Sequence, residues 1–133
     1  MTDVKTYFAV KQAENSVRFL MDEVRPALTI FVRDGKAQLS IFFAPANVMP
    51  TFNENNLVIR VDKNKAVGME AATNSDNDAV FIDNKTLIRQ MLNGKRALVQ
   101  VKLFGLNIQK FEFDLTGFEP AYNWCLESAK AGK

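Results

Sequence analysis

Two runs of strict alternation meet at an Asp-Gly dipeptide and organise the middle of the chain. From Ala27 to Arg33, Leu28, Ile30 and Val32 alternate with Thr29, Phe31 and Arg33. From Lys36 to Phe43, Leu39, Ile41 and Phe43 alternate with Gln38, Ser40 and Phe42. A period of two places each set on its own face of a strand. Asp34-Gly35 between the runs predicts a tight β-hairpin, because both residues tolerate the positive φ that such a turn demands.

The same period returns in Ala97–Leu103 and Ile108–Leu115, on either side of Gly105-Leu106-Asn107. In the second run Phe111, Phe113 and Leu115 point one way and Lys110, Glu112 and Asp114 the other, the pattern of a sheet with one face in the core and one in water. Leu57–Asp62, Ala66–Thr73 and Asp78–Ile82 predict further strands, with a polar turn over Thr73–Asn77. Thr6–Ala13 and Ser16–Val24 predict a first hairpin about Glu14-Asn15, and Ala44–Asn56, rich in proline and asparagine, predicts a loop.

Two segments change period to that of a helix. Asp83 reads as an N-cap before the stripe Leu87, Ile88, Met91 and Leu92, and Asn93-Gly94 reads as its stop. Thr116 and Glu119 fit a capping box, after which Phe118, Ala121, Tyr122, Cys125 and Ala129 share one face. The predicted architecture is mainly β (α+β): an antiparallel sheet or sandwich of about eight or nine strands with two short helices, the last at the C-terminus. Residues 1–133 form a single domain on this reading, with no internal repeat and no linker to divide them.

Composition narrows the chemistry more than the fold. Seventeen basic and fifteen acidic residues leave a formal charge of +2, too even a balance to point to a phosphate backbone, so no nucleic acid is expected as a partner. No apolar run approaches the about 20 residues of a membrane-spanning helix, so no membrane insertion is expected. The N-terminus lacks a signal-peptide pattern, which makes the chain cytoplasmic as written, or periplasmic if a signal peptide has been removed. The sequence has one cysteine, Cys125, and no histidine. That excludes an internal disulfide and removes the commonest metal ligand and general base together.

Each remaining candidate for catalysis or metal binding has a simpler explanation. Cys125 lies on the apolar stripe of the last predicted helix, as an inert buried thiol would. The carboxylate pairs Asp22 with Glu23 and Asp76 with Asp78 could serve acid-base chemistry, but they read as solvated surface. Asn74, Asp76 and Asp78 take the first, third and fifth places of a calcium loop, where Ala79 then replaces the required glycine and Lys85 the required glutamate. No glycine-rich phosphate cradle is present. The expectation is therefore a protein without catalytic residues, cofactor or metal.

The least ordinary feature is the second face of the Asp34-Gly35 hairpin. With Leu28, Ile30, Val32, Leu39, Ile41 and Phe43 turned to the core, Phe31 and Phe42 face outwards beside Arg33 and Gln38. Aromatic rings rimmed by polar side chains suit a protein-binding patch made of Phe31, Arg33, Gln38 and Phe42. The competing reading is that a helix or the N-terminal hairpin covers this face.

The order of elements also resembles a known group. The segment Pro26-Ala27-Leu28-Thr29-Ile30-Phe31-Val32-Arg33-Asp34-Gly35, the strand Leu57-Val58-Ile59-Arg60-Val61-Asp62, and the ending Phe111-Glu112-Phe113-Asp114-Leu115-Thr116-Gly117-Phe118 through Ala121 to Cys125 look like the VasI/TagO-like accessory proteins of type VI secretion. The outline is similar, too, to the IalB-like invasion-associated proteins and to related small bacterial and phage proteins. It covers the chain from about Pro26 onward, and its most specific part is the strand-Thr-Gly-helix-Cys ending. Periplasmic members of the group typically carry a second cysteine where this chain has Val32, able to pair with the one matching Cys125; without it the bridge is lost and a cytoplasmic version is implied.

The resemblance implies a non-enzymatic accessory or adaptor protein that binds another protein, in a bacterial secretion or envelope system. The alternative it leaves open is a phage-encoded inhibitor that blocks a host defence protein by the same kind of surface.

Overall fold

The computed structural model of the protein describes residues 7–19, 22–33, 36–44, 46–48 and 56–131. The predicted Asp34-Gly35 turn and most of the Ala44–Asn56 loop lie outside them. Among the described residues are eleven strands, all paired antiparallel, and two helices.

The predicted central hairpin forms from β4 (Ala27–Arg33) and β5 (Lys36–Phe42), in register from Arg33 opposite Lys36 to Ala27 opposite Phe42. It is the middle of a five-stranded sheet. On one side β1 (Tyr7–Gln12) pairs with β4, and on the other β9 (Ala79–Ile82) pairs with β5 and β8 (Ala72–Thr73) with β9. A second sheet runs in the order β11 (Asn107–Asp114), β10 (Arg96–Leu103), β6 (Leu57–Val61), β7 (Val67–Met69).

The alternation read from the sequence sets the inward faces of both sheets. Leu28, Ile30, Leu39 and Ile41 of the first are at most 3% exposed, as are Leu57, Ile59, Val99, Val101, Phe111 and Phe113 of the second. One cluster of buried side chains joins the two sets. The Phe43 and Phe111 rings, 6.0 Å apart and tilted by 51°, connect one sheet to the other. Helix α1 (Lys85–Asn93) contributes Leu87 and Met91 and lies against β6; α2 (Phe118–Ala131) contributes Phe118 and Cys125 and lies against β4 and β1. The result is an open, sandwich-like, mainly β fold.

Several local expectations give way to long-range pairing. The first hairpin does not form about Glu14-Asn15, because β1 takes β4 as its partner. The Ser16–Val24 stretch instead folds on itself as a small ribbon of β2 (Val17–Phe19) and β3 (Asp22–Val24). Ala66–Thr73 is not one strand either: β7 ends the second sheet and β8 ends the first, so the chain crosses between sheets at Glu70-Ala71. The crossing is held by Asn56, 6% exposed, whose side-chain amide donates to Ala71 O at 3.0 Å and accepts from Ala71 N at 2.7 Å. Asn15 does the same at the far edge, donating to Lys110 O and accepting from Glu112 N. In both places an amide side chain supplies the pair of hydrogen bonds that a strand's peptide unit would make.

The caps differ by small shifts with clear causes. Helix α1 is capped by Asn84, not Asp83, since Asn84 Oδ1 accepts Leu87 N at 2.9 Å. Helix α2 uses no Thr116–Glu119 capping box: Gly117 turns at φ +83, and Thr116 N donates back to Asp114 Oδ1 at 2.9 Å. Hydrogen bonds from Thr116 hold the exposed Asp114 carboxyl below the usual carboxylate range.

Gly94 ends α1 with an ordinary negative φ of −99, so backbone freedom is not the reason for glycine. Space is: a Cβ there would collide with Val61 Cγ1 and meet Gln90 O at 2.8 Å. Gly94→Ala is accordingly expected to push α1 off β6 and lower the unfolding free energy by about 1–3 kcal/mol, measured by denaturant melts.

Candidate binding surface on the first sheet

The outward face of the five-stranded sheet is built in rows across the strands. Phe31 stands beside Gln38 in one row, Thr29 beside Ser40 and Phe81 in the next, and Ala27 beside Phe42 and Ala79 in the third. Phe31 and Phe42 therefore share a face without touching as cross-strand neighbours. Four residues of strand separate their rows, about 13 Å at the usual strand rise.

Their neighbours give the two rings different surroundings. Phe42 lies between two alanines, which leave its ring 42% exposed. Phe31 is half-buried, in a row between Gln38 and the β1 backbone at Phe8. Gln38 is exposed, and the side chain of Arg33 lies outside the described residues. Between the rings, Ser40 is fully buried with no hydrogen-bond partner for its Oγ. The centre of this face is closed to solvent, while its ends at Gln38 and Phe42 are open. Of the four residues singled out by sequence, Phe31, Gln38 and Phe42 thus share one face but do not form a single aromatic patch.

Sequence pattern did not reveal what lies next to Gln38. The β5–β9 ladder ends at Leu39 opposite Ile82, and beyond it an open groove of about 630 Å³ begins. Met69, Phe81 and Ile88 are among its apolar walls, and Gln38, Glu70 and Asp83 are among its polar groups. Met69 and Glu70 reach the groove only because the chain changes sheets at Glu70-Ala71 and Asn56 holds Ala71 in place.

Other exposed apolar side chains were also missed. Phe104 is 62% exposed, Ile108 55% and Trp124 55%. Ile108 carries a signal in its parity, since it shares the outward face of β11 with Lys110 and Glu112.

Asn74, Glu23 and Cys125, among the other candidates, have well-defined surroundings. Asn74 Oδ1 accepts Asp78 N at 3.0 Å and Ala79 N at 3.1 Å, so the first would-be calcium ligand is committed to the turn's own backbone. Hydrogen bonds from Ser16 and then Arg25 hold the exposed Glu23 carboxyl below its ordinary range, opposite to the shift a general acid needs. Cys125 is buried and free, and burial pushes its thiol up. Thiol titration at about pH 8 is expected to give no rapid reaction without denaturant and one equivalent with it.

A mainly β sandwich with two helices, whose first sheet has an outer face open only at its ends, is the class these features define. Comparison with known proteins bears on the fold alone. No family model matches the chain, and no curated protein matches it. Among solved structures, the chain is similar to the crystal structure of invasion associated protein B from Bartonella henselae, at a TM-score of 0.51 and 12% identity. The likeness covers 97% of this chain and 99% of that one. The IalB-like outline read from the sequence is therefore present in the fold, whereas the VasI/TagO likeness receives no support from these comparisons.

Proposed function

We propose that the protein is a non-enzymatic accessory or adaptor that binds another protein through the open parts of the first sheet's outer face, Gln38 with its adjoining groove and Phe42. The observation that carries this reading is that groove: a concavity of about 630 Å³, apolar in its walls, beside an exposed glutamine on a strand fixed in the core by its other face. Cavities of some 300–1,000 Å³ with a few placed polar groups are the usual form of binding sites. The chemistry of the chain supports binding over catalysis, since it has no histidine and its one thiol is buried.

Likeness in fold over nearly the whole chain to an invasion associated protein is compatible with an accessory role of this kind. Affinity capture from a lysate of the encoding organism tests the reading. One protein should be retained at stoichiometric yield by the wild type and lost with Gln38→Ala plus Phe42→Ala. Retention of the same protein by that double variant would overturn it.

A further inference from the structure

The described lining of the groove beside Gln38 is acidic. The chain as a whole carries a formal +2, yet among the described residues the groove is lined by Glu70 and Asp83 and by no lysine or arginine. Both carboxylates are exposed, and among the described residues neither makes a hydrogen bond or an ion pair. They flank apolar walls that include Met69, Phe81 and Ile88, each half-buried.

The groove runs across three neighbouring strands of the first sheet, with Gln38 and Leu39 of β5, Phe81 and Ile82 of β9 and Ala72 of β8 in its lining. The chain beside Ala72 is fixed, because Asn56 takes both backbone groups of Ala71.

From the apolar walls and the two unpaired carboxylates, we infer that the groove binds a segment of a partner protein in which lysine or arginine alternates with apolar residues. The apolar side chains fill the space between Met69, Phe81 and Ile88, and the cations reach Glu70 and Asp83. This rests on the binding role proposed above and gives that role a ligand chemistry.

The probe is a blocked hexapeptide alternating leucine with lysine, titrated calorimetrically into the whole protein, with its leucine-glutamate counterpart as control. The lysine peptide should bind one to one, at least tenfold more tightly than the glutamate peptide, and weaken at about 0.5 M salt. Glu70→Lys combined with Asp83→Asn should weaken it at least tenfold, with an unchanged melting profile because both side chains are exposed. Equal affinity for the two peptides, undiminished binding by the double variant, or no binding of the lysine peptide would each overturn the inference. If the peptide arm fails while Gln38→Ala plus Phe42→Ala still abolishes capture of a partner, the ligand chemistry is wrong and the binding role stands. If capture fails while the peptide behaves as expected, the groove stands and the outer-face role falls.

Discussion

Phe43→Ala and Phe111→Ala are each expected to lower the unfolding free energy by about 3–5 kcal/mol, the cost of deleting a buried aromatic side chain and leaving a cavity. Both residues are fully buried, and their rings make one direct contact between the inward faces of the two sheets. Because the rings touch, the two losses should not add. A double-mutant cycle should show a coupling of about 0.5–1.5 kcal/mol, the range for tilted aromatic pairs. Simple additivity would mean that the sheets are held together elsewhere.

Ile41→Ala and Phe42→Ala form the second comparison, on consecutive residues of β5. Ile41 has no exposed surface, so its truncation should cost about 2–5 kcal/mol. Phe42 lies on the opposite face with small neighbours on both sides, and its truncation should cost less than about 1 kcal/mol. Denaturant melts decide both values. Comparable losses would show that the ring is covered in solution and that this end of the face is core.

The parts of this fold that sequence reveals are those whose cause is local. Alternation in Ala27–Arg33 and Lys36–Phe42 sets which side chains go inward, and every described member of the predicted inward set is buried. The same logic fails where the deciding contact is distant. Nothing near Val67–Thr73 announces that the chain will leave one sheet for the other, because the crossing depends on Asn56. Gly94 reads correctly as the end of α1, but the reason is the approach of Val61, which only the packed structure supplies.

The candidate surface shows the same division. Parity puts Phe31, Gln38 and Phe42 on one face. It is silent about lateral neighbours, and those determine exposure: alanines beside Phe42 leave its ring out, whereas Thr29 and Phe81 flank a Ser40 that is fully buried. The groove draws on residues from Gln38 to Ile88 that meet only after two sheets and a helix have assembled, so no local pattern could have shown it.

The most direct test of the account is the affinity of the captured partner for Phe42→Ala, measured by calorimetry beside the wild type with melts of both. The account predicts a loss of at least about 2 kcal/mol of binding, roughly 30-fold in Kd, at an unchanged unfolding midpoint. An unchanged Kd would contradict it.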